Sequence, residues 1–185
     1  MRDWKGKRYW LVGASEGLGR AVAIELARRG AQVILSARSV DRLAAVAAEI
    51  GDSARPVPVD VSDVRSVRAA ADEAGEIDGV IYLAAVYWPM KATEWNVEQI
   101  EAMCDVNFTG AARVFGAVVP GMVARRRGHV VVTGSLSGFR GLPGAIGYGA
   151  SKSGLMHLAE TMRMDLRRSG VEVQLINPGF MRTRL

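Results

Sequence analysis

Short apolar runs alternate with longer amphipathic stretches along the chain, and this alternation predicts its architecture. The apolar runs suit buried strands, and the stretches between them repeat apolar residues every three or four positions, which suits helices. The predicted strands are Arg8–Val12, Gln32–Leu35, Val57–Val59, Asp78–Ala85, Val130–Thr133 and Val171–Ile176. Strands that alternate with helices are typical of an α/β fold, in which a doubly wound parallel sheet carries helices on both faces.

One predicted helix is much longer than the others. It runs from about Val97 to Arg127, carries Asn107, and contains Pro120, which predicts a kink near its end. The loop before it is rich in bulky side chains, namely Tyr87, Trp88, Pro89, Met90 and Trp95. Such a loop either lines a substrate pocket or packs over the edge of the sheet, and the sequence favours neither alternative.

A glycine-rich segment joins the first strand to the first helix. It reads Gly13-Ala14-Ser15-Glu16-Gly17-Leu18-Gly19. Glycines at such a junction permit a tight turn and a close approach of a ligand, and the N–H groups at the start of the helix attract phosphate. Glycines also mark ordinary turns, but the position directly after the first strand favours a dinucleotide-binding loop.

The end of the second strand indicates which dinucleotide would bind. In dinucleotide folds an acidic residue here binds a ribose 2′-hydroxyl, whereas an arginine accommodates a 2′-phosphate. The chain has Ala37 followed by Arg38, so we predict NADP(H) in preference to NAD(H). Glu16 weakly favours NAD(H), because a carboxylate does not stabilise a bound phosphate. The alternative for Arg38 is a solvated loop cation.

Tyr148 and Lys152 stand four residues apart in a predicted helix and therefore share one of its faces. A phenol is a poor base at neutral pH, and a nearby ammonium favours the phenolate, so we expect Lys152 to lower the pKa of Tyr148. Ser135 follows the fifth strand and could hold a carbonyl oxygen beside the phenol, an arrangement that suits proton transfer. Ser137 is an alternative to Ser135 whose spacing to Tyr148 fits less well. By itself such a pair is more often ordinary helix surface.

Composition limits the other possibilities. The formal net charge of +5 invites a nucleic-acid interpretation, but the arginine clusters lie near predicted helix ends and no aromatic stacking pattern accompanies them. The first apolar run is too short for a signal peptide or a membrane span, which predicts a cytoplasmic protein without membrane contact. The single cysteine, Cys104, excludes an internal disulfide, and with only two scattered histidines we predict no metal site.

Several motifs share one register, and over essentially its whole length the sequence resembles the short-chain dehydrogenase/reductase family. The family's GxxxGxG motif coincides with Gly13, Gly17 and Gly19. Its adenine-contacting pair coincides with Asp60 and Val61. Its NPGxxxT motif, in which the backbone and the threonine contact the nicotinamide amide, is similar to Asn177-Pro178-Gly179 with Thr183.

The resemblance implies one Rossmann domain over residues 1–185, with six strands in the order 3-2-1-4-5-6. It also implies a set of residues that contact the cofactor. These are Gly13, Ser15, Glu16, Gly17, Leu18, Gly19, Arg38, Asp60, Val61, Ala84, Ala85, Tyr148, Lys152, Pro178, Gly179 and Thr183.

The family's catalytic tetrad coincides with Asn107, Ser135, Tyr148 and Lys152. The implied reaction is hydride transfer between the nicotinamide and the carbonyl carbon of a small molecule, with Tyr148 giving or taking the alcohol proton. Ser135 would bind the substrate oxygen, Lys152 would hold the nicotinamide ribose, and Asn107 would position a water that feeds protons to Lys152. Family members pair through the helices that carry Asn107 and Tyr148, which implies a homodimer or homotetramer.

The sequence departs from the family pattern in several places. The NNAG motif after the fourth strand appears as Tyr82-Leu83-Ala84-Ala85, and Val12 replaces a threonine before the glycine loop. The family continues beyond NPGxxxT with a substrate-covering segment and a seventh strand, whereas this sequence stops at Leu185. We therefore expect either a fragment or an open site. The alternatives to an enzyme are a nucleotide-binding protein without turnover and, with less support, a basic nucleic-acid binder.

Overall fold

Strands and helices alternate over residues 2–179, the part of the chain that this computed structural model describes. The strands are β1 Arg8–Val12, β2 Gln32–Ser36, β3 Ala54–Pro56, β4 Gly79–Tyr82, β5 Gly128–Thr133 and β6 Val171–Ile176. The helices are α1 Gly17–Arg28, α2 Val40–Ile50, α3 Val64–Ala74, α4 Val97–Cys104, α5 Gly110–Ala124 and α6 Ile146–Asp165. A π-helical turn, Asp105–Thr109, joins α4 to α5, and a 3-10 turn, Leu136–Gly138, precedes α6.

The six strands form one parallel sheet in the order β3-β2-β1-β4-β5-β6. Successive side chains point to opposite faces of the sheet, so each strand contributes to two cores. Trp10, Val12 and Val80 pack with residues of α3, α5 and α6 on one face. Tyr9 and Leu11 pack with residues of α1 and α2 on the other. The predicted doubly wound α/β fold and its strand order are confirmed.

The third strand lies earlier in the chain than Val57–Val59, the segment that the apolar pattern predicts. Its ladder residues are Ala54–Pro56, although pairing with β2 continues beyond them. The Val57 N–H donates to the Leu35 carbonyl at 2.8 Å, and the Val59 N–H donates to the Ala37 carbonyl at 3.1 Å. Pro58 falls between these two donors, at a position whose N–H would point away from β2. A proline is tolerated there because β3 is an edge strand.

The predicted long helix is interrupted, which the sequence analysis did not anticipate. The interruption lies at the π-helical turn Asp105–Thr109, well before Pro120, and α5 ends at Ala124 rather than Arg127. By length and composition alone the segment Val97–Ala124 could cross a membrane, a test that core helices also pass. Val114 and Phe115 belong to the core on one face of the sheet, and 33% of the most apolar window of this segment is buried.

Candidate active site

A cavity of about 620 Å³ opens where the carboxyl ends of the strands meet. Because all the strands run in the same direction, the loops that follow them lie at this one edge of the sheet. Every predicted cofactor contact within residues 2–179 lines the cavity. Thr183 lies outside the described residues. The structure therefore brings the separate cofactor motifs together around one space.

The glycine loop forms the part of the cavity wall next to β1. Gly13 has a φ of 97°, in the left-handed region that favours glycine, and a Cβ there would collide with the backbone of Ala84. The loop leads directly into α1, whose first-turn N–H groups can bind an anion. This junction fits the phosphates of a dinucleotide.

Two oxygen atoms at the other end of the sheet lack partners. Within residues 2–179, Thr133 Oγ1 and Asn177 Oδ1 are buried side-chain oxygens without a hydrogen bond. Thr133 ends β5 and lines the cavity, and Asn177 directly follows β6. Buried polar atoms are normally paired, so orphaned oxygens beside a cavity suit a ligand that carries hydrogen-bond donors. Together with the glycine loop, they show that the residues present fit a nicotinamide dinucleotide.

Charged side chains line the cavity near the ends of β2 and β3. Arg38, Arg42, Glu16 and Asp60 are among the lining residues. Arg42 Nη1 lies 3.0 Å from Glu16 Oε2, so the carboxylate that argued against a bound phosphate is paired with a cation. Hydrogen bonds from Ser62 lower the pKa of Asp60, and Arg38 adds to this effect. Arg42 lies outside the predicted set of cofactor contacts, although a second arginine so soon after Arg38 in the sequence is a signal for it.

Tyr148 and Ser135 meet at the opposite end of the cavity. Burial raises the pKa of the Tyr148 phenol, whereas a hydrogen bond with Ser135 lowers it, and the net direction is upward. The hydroxyl oxygens of Ser135 and Ser137 lie 2.9 Å apart. Ser137 is therefore in contact with Ser135, and the serine bonded to the phenol is Ser135, the one that the spacing favoured.

Lys152 does not have the electrostatic effect expected of it. Its side chain is 2% exposed, and Nζ donates to the Thr133 carbonyl at 2.9 Å. Nζ lies 5.7 Å from the centre of the Tyr148 ring. Burial lowers the pKa of Lys152 to about 8, so the ammonium is less favoured than in water but still predominates at pH 7. The pKa of Tyr148 is thus raised rather than lowered as expected, and the causes of its shift are burial, the Ser135 hydrogen bond and Tyr87, with no contribution from Lys152.

Asn107 lies behind the cavity wall, and it is not among the lining residues. It is fully buried in the π-helical turn. Its Oδ1 accepts from the Val86 N–H at 2.8 Å, and its Nδ2 donates to the Val86 carbonyl and to Ser151 Oγ, each at 3.0 Å. Ser151 Oγ in turn donates to the Tyr148 carbonyl at 2.8 Å. Asn107 thus connects the loop after β4 to the first turn of α6, which carries Tyr148.

The loop rich in bulky residues contributes one side chain to the cavity and joins a neighbouring loop. Tyr87 lines the cavity, with its ring centre 4.8 Å from that of Tyr148. Met90 is buried, and its N–H donates to the Gly144 carbonyl at 2.8 Å, which joins this loop to the one before α6. Trp88 and Trp95 are exposed. One aromatic residue of this loop therefore faces the candidate site, and Met90 anchors the loop to the segment before α6.

Comparison with known proteins agrees with this geometry. The short chain dehydrogenase family model matches residues 7–185. An uncharacterized oxidoreductase of Myxococcus xanthus is 42% identical over 192 aligned positions, which cover 100% of this chain and 76% of the relative. The 3-oxoacyl-[acyl-carrier-protein] reductase FabG of Vibrio harveyi is 34% identical over 97% of this chain and 75% of its own length.

A solved structure is also close to this one. A protein described as a short chain dehydrogenase/reductase family protein superposes with a TM-score of 0.95 at 31% identity, over 99% of this chain and 78% of its own. The fold, the cavity and the sequence matches agree with one another. The chain belongs to the short-chain dehydrogenase/reductase family of oxidoreductases.

Proposed function

We propose that this oxidoreductase interconverts a carbonyl compound and the corresponding alcohol with NADP(H). The observation that carries the proposal is the hydrogen bond between Tyr148 and Ser135 in a cavity whose other end is the glycine loop. The bound nicotinamide supplies or accepts the hydride in this chemistry. The roles of the protein side chains follow from their surroundings.

Tyr148 is the proposed proton donor and acceptor. Because its pKa is raised, its phenol is protonated at neutral pH and can donate to an alkoxide oxygen. Ser135 would hold that oxygen beside the phenol, since its hydroxyl already contacts Tyr148 and Ser137. This protonation state favours carbonyl reduction at neutral pH, and alcohol oxidation requires a higher pH.

Lys152 and Asn107 are assigned supporting roles. Lys152 reaches the cavity from α6, where its ammonium would hold the ribose next to the nicotinamide. The low pKa of Lys152, about 8, also suits a group that gains and loses protons near neutral pH. Asn107 would hold the Val86 backbone and the first turn of α6 in place through its three hydrogen bonds, and with them a water that supplies protons to Lys152.

The preference for NADP(H) rests on the basic end of the cavity. Arg38 and Arg42 both line it, and Arg42 already pairs with Glu16. A 2′-phosphate would therefore meet two guanidinium groups and a carboxylate whose charge is offset. Guanidinium groups bind phosphate through charge-assisted hydrogen bonds, which are stronger than neutral ones.

Changing Arg38 to Asp should reverse the cofactor preference. The aspartate would repel a 2′-phosphate and accept hydrogen bonds from a 2′-hydroxyl, so NADPH affinity should fall by about 10- to 100-fold while NADH affinity rises. Dissociation constants from fluorescence titration give both values. Arg168→Asp makes the same charge change beyond α6 and should leave the ratio unchanged. Tighter binding of NADH than NADPH by the unmodified chain would contradict the proposed preference.

The walls around Tyr148 indicate the class of substrate. Tyr87, Leu136, Leu142, Pro143 and Ala145 line the cavity there. Among the lining residues within 2–179, the charged ones other than Lys152 belong to the segments that follow β1, β2 and β3. Three strand spacings, about 14 Å, separate β2 from β5 in the sheet. An uncharged carbonyl compound with an apolar substituent fits this end, whereas a carboxylate beside the carbonyl would find no cationic partner among these described lining residues apart from Lys152.

A screen of NADPH oxidation tests both the reaction and the substrate class. We expect activity with 2-alkanones, with kcat/KM rising about fourfold per added methylene until the apolar wall is covered. The 2-oxo acids of equal length should be much poorer substrates. Cofactor binding without turnover across ketones and aldehydes would favour the alternative of a nucleotide-binding protein. A preference for 2-oxo acids would refute the substrate class alone.

The proposal also includes a homodimer or homotetramer in the cytoplasm. Val97, Phe108 and Val123 are exposed apolar residues on the segment from α4 to α5. Burying such residues between identical copies is a common cause of symmetric association.

A further inference from the structure

The π-helical turn is held by a side chain that none of the family motifs explains. Tyr82, at the end of β4, is fully buried, and its hydroxyl donates to the Val106 carbonyl at 2.6 Å. Its ring meets that of Phe115 edge to face, with the ring centres 5.9 Å apart. Burial raises the pKa of Tyr82 far above its ordinary value, so the hydroxyl stays a hydrogen-bond donor. Tyr82 stands where the family pattern has an asparagine.

A second side chain holds the same turn from α5. Arg113 Nη1 lies 2.8 Å from Asp105 Oδ1, at the start of the turn, and donates to the Val61 carbonyl at 3.0 Å. Val61 and Val106 both line the cavity. Arg113 therefore joins the π-helical turn to Val61 in the cavity wall, and Tyr82 holds Val106, a residue of the turn that itself lines the cavity.

The turn also packs directly against these partners. A Cβ on Gly110, the first residue of α5, would lie 2.8 Å from the Tyr82 hydroxyl oxygen and 2.9 Å from Val61 Cγ2. Both separations are shorter than any ordinary contact of a Cβ, so only glycine allows this approach. The turn, the end of β4 and Val61 thus form one closely packed unit.

We infer that Tyr82 and Arg113 are positioning residues, which fix the π-helical turn and thereby hold Asn107 in register with the loop after β4. Asn107 directly follows Val106, so the hydrogen bond from Tyr82 acts one residue away from the amide that binds Val86. Val86 precedes Tyr87, whose ring packs beside that of Tyr148. The effect on the reaction rests on the proposed function. The effect on the order of the loop after β4 does not depend on that function.

Hydrogen exchange at the Val86 amide tests the positioning role without any assay of activity. This N–H is bonded to Asn107 Oδ1, so loosening of the turn should expose it to solvent through local opening. We expect Tyr82→Phe to speed exchange at Val86 about tenfold beyond any change in the amides of β5. Arg113→Met should have the same effect from the other side of the turn.

Tyr9→Phe is the matched control. Its hydroxyl is also buried, and it bonds His129 Nδ1 at 3.0 Å near the amino end of the sheet. Both tyrosine variants lose one buried hydrogen bond, so both should lower Tm, but only Tyr82→Phe should speed exchange at the Val86 amide itself. The same Val86 exchange rate in both variants, whether raised or unchanged, would overturn the inference.

Kinetics then connect the positioning role to the reaction. Tyr82→Phe should lower kcat about tenfold with the dissociation constant of NADPH changed less than twofold, and Tyr9→Phe should change neither. In combination with Asn107→Ala, the Tyr82→Phe change should have little additional effect on kcat, because both act through the same contact. Independent, multiplying effects would refute action through Asn107. If the unmodified chain shows no turnover, the proposed function fails, whereas the exchange result still decides the positioning role.

Discussion

Tyr148→Phe is expected to remove most turnover while leaving the fold and NADPH affinity nearly intact. The change deletes one hydroxyl and keeps the ring that packs against Tyr87. General acid catalysis of this kind contributes about 10²- to 10⁴-fold, so kcat should fall by that factor. Loss of the bond with Ser135 should cost about 1 kcal/mol, which is a fall in Tm of roughly 2–4 °C for a domain of this size.

Steady-state rates and a thermal melt of the same preparation check this result. Tyr9→Phe again serves as the control, because it removes a buried tyrosine hydroxyl far from the cavity and should retain full activity. If Tyr148→Phe keeps most of the activity, Tyr148 is not the proton donor. The oxidation direction gives a second test, since alcohol oxidation should increase with pH as the raised pKa of Tyr148 is approached.

Lys152→Met is expected to abolish efficient turnover and yet to stabilise the protein without cofactor. At pH 7 the Lys152 ammonium is charged although it is buried, and this burial of charge destabilises the folded state. The difference between the pKa of about 8 and the ordinary 10.5 corresponds to about 3 kcal/mol. Methionine removes that destabilisation. The variant also loses the hydrogen bond to the Thr133 carbonyl, which lowers its stability by about 1–2 kcal/mol. The net gain should be about 1–2 kcal/mol, or roughly 2–8 °C in Tm.

The direction of the Lys152 pKa shift determines how the stability of the protein should change with pH. The pKa of Lys152 is lower when folded, so the unfolded chain binds more protons between pH 8 and 10.5. Relative to Lys152→Met, the unmodified chain should therefore gain stability as pH rises through that window. Denaturant unfolding at several pH values measures it, and Lys91→Met, at an exposed loop position, should follow the unmodified chain. A variant less stable than the unmodified chain at pH 7 would show that the ammonium is not penalised by burial.

The same substitution separates binding from chemistry. If Lys152 holds the ribose through a charged hydrogen bond, NADPH affinity should fall by about 10- to 100-fold together with kcat. Tyr148→Phe should lower kcat alone. Unchanged NADPH affinity in Lys152→Met would remove the ribose contact from the proposal.

The strand order and the cavity could be predicted from the sequence because their signals are local. Apolar runs mark the strands, and the residues that follow them reach the same edge of a parallel sheet whatever the details of packing. This is why Gly13, Arg38, Asp60 and Tyr148 line one cavity. The third strand was misplaced because Val57 and Val59 remain buried and bonded to β2 beyond the ladder that ends at Pro56.

The interruption of the long helix had no local signal. The helical periodicity continues through Asp105–Thr109, and the contacts that hold this turn come from Tyr82, on β4, and from Arg113, on the following helix. The desolvation of Tyr148 and Lys152 also had no local signal in the sequence. The spacing of Tyr148 and Lys152 predicts that they are neighbours, but burial decides the direction of both pKa shifts, and burial depends on the packing of the whole sheet.

The two prolines near β3 have a consequence for the behaviour of the protein at high concentration. Exposed sheet edges invite pairing with strands of other molecules, which leads to aggregation. Pro56 and Pro58 lack N–H groups at alternate positions, on the side of the strand that faces away from β2, so an incoming strand would find too few donors there. Replacing both prolines would restore two N–H donors along that edge. The native sequence thus protects one end of its sheet against uncontrolled growth by composition alone, without covering it.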